Sequence, residues 1–238
     1  MLREIGGPGQ RKLANARVAL VGMGGLGAPA ALYLAAAGVG FLRMIDADEA
    51  SLSNLQRQIL YRTQDVGRPK VLRAVEALSE LDPEIVLEGR AEMLVADNAD
   101  DLLGDVDIVL DGSDSFATRF IVNDACHRLG KTLVSGAVGR WDGQVSVFQS
   151  GLLKGAPCYR CLVPVEPPDA ETCAAVGIVG ALTGVIGSLM ALEAVKIITS
   201  AGESLAGRLL LWDGLGAEAR TVRLEADPDC VVCGARIP

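Results

Sequence analysis

Short runs of β character at residues 18–21, 41–46, 85–87, 106–111 and 131–135 alternate with stretches of helical character at 28–34, 70–78, 96–103 and 116–129. A run that is apolar throughout suits a strand covered on both faces, and the stretches between supply the covering helices. The pattern predicts an α/β fold, a Rossmann-like nucleotide-binding sheet with parallel strands at its start. Residues 10–16 read as a polar lead-in helix. After residue 136 the period changes. Residues 138–144 are turn-like, and Gln144-Val145-Ser146-Val147-Phe148 alternates polar and apolar, as an antiparallel strand with one wet face does. Residues 207–211 and 219–224 read as a hairpin-like pair around Asp213-Gly214. The sheet is therefore expected to finish mixed, within one domain over 1–238 made of a nucleotide-binding half (1–136) and a second half (137–238).

Residues 174–192 carry no charge, which meets the length of a membrane span. Glu193 and Lys196 continue the same helical repeat, so a helix buried in the core or in a dimer interface is expected, and no membrane span. Gly177, Gly180, Gly184 and Gly187 would let a second helix approach closely.

Composition narrows the classes. Half of the 238 residues are apolar, enough for a sizeable core. With 22 basic and 30 acidic residues the net charge is −8, which argues against a general nucleic-acid binder. Residues 1–7 have neither the basic start nor the apolar stretch of a signal peptide, and with the cysteine pattern this places the protein in a reducing cytoplasm. The single histidine, His127, lies in a helical stretch and reads as a helix-face or core residue rather than a catalytic one.

The chemistry centres on residues 17–27. An apolar strand there runs into Gly22-Met23-Gly24-Gly25-Leu26-Gly27, and a helix former follows. Gly22, Gly24 and Gly27 fit the spacing in which the first allows a tight turn, the second a close backbone approach to phosphate, and the third close helix–strand packing. Free N–H groups and the positive end of the helix dipole would face an anion. Asp46 ends the second strand, where a dinucleotide fold places the acid that binds a ribose; a turn aspartate is the plainer alternative. To this point NAD and ATP are served equally. Residues 48–70 separate them, because a plain crossover would not carry Ser53-Asn54-Leu55-Gln56-Arg57-Gln58 and Gly67-Arg68-Pro69-Lys70. Arg57 and Lys70 could both approach the glycine turn, and nucleotidyl transfer needs cations where charge builds on a triphosphate. Solvated surface charges are the competing reading. Asp111 and Asp114 lie at the end of the fourth strand and could hold hydrated Mg²⁺, although Asp114 could equally cap the next helix.

Cys158-Tyr159-Arg160-Cys161 and Cys230-Val231-Val232-Cys233 are two C-x-x-C pairs whose four thiolates suit a tetrahedral structural Zn²⁺. The long gap between them means the site would clip the C-terminal region back onto the body. A redox pair or disulfides are the alternatives, weakened by the lack of a thioredoxin-like context and of a secretion signal. Cys126 reads as a small core residue. Cys173 follows a Pro-rich acidic loop, 166–172.

With these residues in place the chain resembles the MoeB/ThiF/HesA family, prokaryotic relatives of ubiquitin-activating enzymes. The resemblance covers residues 6–234 and rests on the glycine turn, Asp46, the 53–58 and 67–70 segments, Asp111-Gly112-Ser113-Asp114, Gly143-Gln144 and both cysteine pairs, in the family's order. It implies ATP-dependent adenylation of the C-terminal glycine carboxylate of a ubiquitin-fold sulfur carrier ending in Gly-Gly, for molybdopterin or thiamine biosynthesis. It further implies a homodimer and one Zn²⁺ per chain. Gly22, Gly24, Gly25 and Gly27 would cradle the phosphates. Asp46 would bind ribose, Asn54, Arg57, Gln58 and Lys70 would hold the triphosphate, and Asp114 would position Mg²⁺. Cys158, Cys161, Cys230 and Cys233 would bind zinc. Cys173 matches a cysteine that some relatives use in a thioester or acyl-disulfide link to the carrier. Sulfur would come from a separate sulfurtransferase or cysteine desulfurase. The family's N-terminal Arg-rich stretch would lie just upstream of Leu2, so either the start is called late or the arginine that reaches the neighbouring subunit's ATP is missing; a non-catalytic carrier-binding relative is then one alternative reading, and an NAD(P)-dependent oxidoreductase is the other.

Overall fold

The computed structural model describes residues 2–167 and 177–234. Five parallel strands, β1 (Arg17–Val21), β2 (Phe41–Ile45), β3 (Val86–Arg90), β4 (Ile108–Asp111) and β5 (Thr132–Val138), are followed by antiparallel β6 (Asp142–Phe148), β7 (Arg208–Asp213) and β8 (Glu218–Arg223). All lie in one sheet, ordered β3-β2-β1-β4-β5-β6-β7-β8. The mixed sheet expected from the sequence is therefore present.

Period two along β1 divides the core. Val18 and Leu20 pack into one cluster with α1 (Gly6–Asn15), α2 (Gly27–Ala36), α3 (Lys70–Leu81) and the long helix Gly180–Thr199. Ala19 and Val21 face the opposite cluster, under α4 (Ala99–Leu103), α5 (Phe116–Leu129) and the short α6 (Tyr159–Leu162). The long helix is α7. The chain leaves β1 toward β2 and β3, then crosses back to place β4 on β1's other side. The strand order reverses between β1 and β4, and a crevice opens beyond their carboxyl ends at such a point.

Several elements differ from the expected ones, most by a few residues at an end. The lead-in helix starts at Gly6 rather than residue 10, despite its glycines. The turn expected over 138–144 shrinks to 139–141, because β5 and β6 run through Gly136 and Gly143. Those glycines are strand residues on which Met190 and Ile186 of α7 sit, in space a Cβ would take. The short α6 between the first two cysteines carries no periodic signal. α7 is 20 residues long with a mean hydropathy of 1.7, enough by length and composition to cross a membrane. Here it packs on α2, β5 and β6, with Gly187 against the Leu26 carbonyl and Pro29. Two of its four expected glycines, Gly180 and Gly187, thus serve contacts within the chain, whereas Gly184 and Gly177 face open space.

A substitution at the helix start tests the packing constraint. A methyl at Gly27 would overlap the Gly22 carbonyl. Gly27→Ala should therefore cost about 2–4 kcal/mol, read as a lower urea midpoint. At the sheet's other end, hydrogen bonds from Arg43 and then Arg17 hold the Asp105 carboxyl at about 2, below its ordinary 3.8. A depressed carboxyl stabilises the fold above its ordinary value, and that contribution disappears as pH falls toward the depressed one. Asp105→Asn should lower the melting temperature above about pH 4, with the difference from the parent vanishing near pH 2.

Candidate active site and metal centre

The crevice is built by backbone crowding. Gly22 has φ +86°, a left-handed conformation that glycine adopts without strain, and a Cβ there would come within 3.1 Å of the Gly112 and Ser113 backbone. A Cβ on Gly112 would lie 3.0 Å from the Leu26 Cβ and 3.3 Å from the Gly27 nitrogen. Strand ends β1 and β4 thus meet the start of α2 with bare backbone. The N–H groups of Gly24, Gly25 and Leu26 have no acceptor among the described residues. They stand at the positive end of α2, the arrangement that receives an anion.

Two side chains hold this turn. The Tyr61 hydroxyl, buried, donates to the Met23 carbonyl at 2.7 Å. Asp46 Oδ2 accepts the Met23 N–H at 2.6 Å, and Oδ1 accepts the Asp48 N–H at 2.8 Å. Burial pushes the Asp46 carboxyl up, and Lys70 and the two N–H donors pull it back. Asp46 is thus a turn-binding acid at the strand end; these bonds leave lone pairs on both oxygens.

The segment after β2 returns on itself. The Ala50 N–H donates to the Arg68 carbonyl and the Gly67 N–H to that of Ala50, both at 2.9 Å, and the Lys70 N–H donates to the Asp48 carbonyl at 3.0 Å. This pairing brings Lys70, the first residue of α3, beside Asp46. Lys70 is 3% exposed, with Nζ 2.7 Å from Asp48 Oδ2 and 3.7 Å from Asp46 Oδ2. The Asp48 partner is itself 73% exposed, so that pair contributes no more than about 1 kcal/mol.

The Arg57 segment reaches the glycine turn through α7. The Arg57 carbonyl accepts the Thr183 hydroxyl of α7 at 3.2 Å, and the Thr183 side chain lies 3.0 Å from where a Gly25 Cβ would be. The neighbouring Gln58 puts Nε2 at 3.4 Å from the Gly24 Cβ position, and its Oε1 is buried without a hydrogen-bond partner. The Arg57 guanidinium touches only the Ser53 carbonyl, at 3.5 Å, and makes no ion pair among the described residues. Asn54 caps this turn by accepting the Arg57 and Gln58 N–H groups at its carbonyl, both at 3.0 Å. The glycine turn, Asp46, Arg57, Gln58 and Lys70 are thereby grouped at one crevice.

Asp111 and Asp114 diverge. Asp111 is buried, its Oδ1 accepting from the Ser113 N–H at 3.0 Å and the Ser113 hydroxyl at 2.7 Å. Asp114 is exposed, and it does not cap α5: Ser115 does, through its hydroxyl and the Thr118 N–H at 3.4 Å. Asp114 is therefore an uncommitted carboxylate at the carboxyl end of β4. Cys173 lies outside the described residues, as does much of the loop before it.

Sequence reasoning gave no role to Tyr61, Thr183, Asp48 or Gly112. Asp48 and Gly112 stood within quoted segments, but only the folded chain shows what their backbones meet. Thr183 carried no signal, being one hydroxyl in an uncharged run.

The four paired cysteines converge. Sγ of Cys158, Cys161, Cys230 and Cys233 all lie within 4.8 Å of one another, with Cys158–Cys230 at 3.5 Å and Cys161–Cys233 at 3.3 Å. A tetrahedral Zn²⁺ with Zn–S bonds of about 2.3 Å spaces its sulfurs by about 3.8 Å, so the cluster fits that ion. Burial holds the Cys158 thiol up at about 11, and a dication would supply the charge that ionises it. The knuckle is pinned to α5: the Tyr159 N–H donates to Asn123 Oδ1 at 2.7 Å, and Arg160 pairs with Asp124 at 2.9 Å. The odd cysteine of α5, Cys126, is buried in the core, as expected. His127 bonds Ser150 through Nδ1 at 2.9 Å.

The profile of the ThiF family matches residues 1–232. The sulfur carrier protein adenylyltransferase of Thermus thermophilus is 47% identical over 238 residues, covering 98% of this chain and 88% of the relative. The adenylyltransferase and sulfurtransferase MOCS3 of Anopheles gambiae is also 47% identical, over 236 residues and 98% of this chain, but the chain spans only 53% of that relative. Among solved structures, E. coli MccB with ATP has a TM-score of 0.82 over 95% of this chain and 69% of that one, at 22% identity. E. coli MccB with MccA-N7isoASN gives 0.84 at 23% identity, over the same shares of each chain. At such identities the likeness shows the fold.

Metal analysis tests the cysteine cluster. The purified chain should hold one Zn²⁺, and Cys161→Ser should lose it with a fall of several degrees in melting temperature, whereas Cys126→Ser should keep its zinc.

Proposed function

This chain belongs to the ThiF family, and from that premise we propose that it adenylates the C-terminal glycine carboxylate of a ubiquitin-fold sulfur carrier. ATP and the carrier give an acyl-adenylate and pyrophosphate. The observation that carries the reading is the glycine turn with uncommitted N–H groups, with Lys70 beside its Asp46 and the Arg57 segment tied to it through Thr183. A dinucleotide oxidoreductase would require none of the segment that positions these two cations, and the family match sets that alternative aside.

In the proposed reaction the N–H groups of Gly24, Gly25 and Leu26 receive phosphate oxygens, and Asp46 accepts from the ribose hydroxyls. Asn54 and Gln58 line the crevice beside them. Lys70 leaves the exposed Asp48 for the phosphates, and Arg57 swings from the Ser53 carbonyl to the same charge. The carrier's carboxylate attacks the α-phosphorus in line, and pyrophosphate departs. Little covalent chemistry falls to the protein; positioning and charge neutralisation lower the barrier. Asp114 would hold a Mg²⁺ ion, which supplies further neutralisation of the phosphates.

The wider setting is also a proposal. The outward stripe of α7, with Val185 38% and Leu192 52% exposed beside Ala181 and Gly184, favours a homodimer. The product would receive sulfur from a sulfurtransferase or cysteine desulfurase, in the cytoplasm, for molybdopterin or thiamine synthesis. One adenylyltransferase domain serves the whole, its second half carrying the zinc clip and the carrier surface. Cys173 would act on the adenylate after it forms.

Exchange of labelled pyrophosphate into ATP tests this directly. It should require a carrier ending in Gly-Gly. Arg57→Ala and Lys70→Ala should each slow it by about 10²–10³-fold, the usual loss for one donor to developing charge. Cys173→Ala should leave it unchanged. No exchange with any such carrier would refute the activity, and near-parental rates in both cation variants would remove their assigned roles.

A further inference from the structure

Arg119 is a cation that the adenylation scheme above does not use. It lies in the first turn of α5, is 6% exposed, and has no carboxylate partner among the described residues. Both features are unfavourable. A buried charge without an ion pair loses its hydration uncompensated, and a cation at the positive end of a helix is repelled by the dipole. Core packing alone would be served better by an apolar side chain.

Its contacts show what offsets these costs. Nη2 donates to the Ser113 carbonyl. Ser113 is gripped from its other side by Asp111, whose Oδ1 accepts both the N–H and the hydroxyl. A buried cation and a buried carboxylate therefore hold the three polar groups of one residue, the residue immediately before Asp114. Neither is saturated: Arg119 Nη1 and Asp111 Oδ2 are both buried without a hydrogen-bond partner. One turn further along the same face of α5, Asn123 holds the backbone of Tyr159 in the cysteine knuckle. The helix that bears Arg119 is thus anchored at the knuckle, and Arg119 transmits that fixed position to the turn.

We infer that Arg119 is a positioning residue that locks the Asp111–Asp114 turn, so that the Asp114 carboxylate is presented to the nucleotide's divalent cation in one orientation. This rests on the reading of Asp114 given above. Arg119 touches neither nucleotide nor carrier. A guanidinium suits the task because its planar fork fixes direction as well as distance, which an ammonium does not.

The test is equilibrium binding of a non-hydrolysable ATP analogue, titrated with Mg²⁺, alongside zinc content and thermal unfolding. Asp114→Asn should raise the Mg²⁺ concentration for half-maximal binding. Arg119→Met should raise it about tenfold, the loss of one charge-assisted hydrogen bond, with zinc content at the parent's level and Mg²⁺-free nucleotide binding little changed. Arg119→Lys, which keeps the charge, should show a smaller rise of the same kind and decides the matter if the methionine variant does not fold. A lower melting temperature with a parental Mg²⁺ requirement in the Arg119 variants, while Asp114→Asn is shifted, would reduce Arg119 to a packing residue. A parental requirement in Asp114→Asn as well would remove the reading of Asp114, and this inference with it.

Discussion

Backbone crowding where β1, β4 and α2 meet is the constraint on which the molecule depends. Gly22, Gly27 and Gly112 stand where side chains would collide with neighbouring main chain. Their absence lets two strand ends and a helix start share one small volume. The turn so formed leads into α2 with the N–H groups of Gly24, Gly25 and Leu26 lacking an acceptor among the described residues, as the start of a helix does. The anion site is therefore a consequence of close packing rather than an addition to it.

Charge is then arranged around that site in two tiers. Lys70 is buried but pairs most closely with the exposed Asp48, with Asp46 at 3.7 Å, and Arg57 has a single long contact to a carbonyl. In the proposed reaction both turn to the phosphates. Half-buried Asp46 and buried Asp111 and Arg119 are tightly held, and each binds the backbone of a turn. Movable charge can follow the phosphates through a reaction, whereas fixed charge keeps the cradle in shape before any ligand arrives.

The second half of the chain supports the first from behind. Through Thr183, Gly180 and Gly187, α7 presses on the Arg57 segment and the start of α2. The cysteine knuckle holds α5 through Asn123 and Asp124. The crevice is built in the nucleotide-binding half, but its walls are braced from the second half, by the knuckle 36 residues beyond its α5 partners and by Thr183 of α7 126 residues beyond Arg57. Mixed strands β6 to β8 carry the chain to those positions.

Local pattern determined much by itself. Period and glycine spacing were enough for the parallel start, the phosphate turn, the acid at the end of β2 and the two cysteine pairs. Each of these is written within a few neighbouring residues, where dihedral preference and side-chain periodicity act. The antiparallel tail was legible from its alternation, although Gly143 reads as a turn residue in sequence and is a strand residue under α7 in the fold. Only the tertiary structure decided which charges meet. It separated Asp114 from the cap that Ser115 provides, gave Lys70 to Asp48, and brought Thr183 to Arg57 across 126 positions of chain. A hydroxyl or a guanidinium has no periodic signature, and its partner is set by which surfaces the packed core brings face to face. For Thr183 and Arg119, that information exists only once the chain has folded.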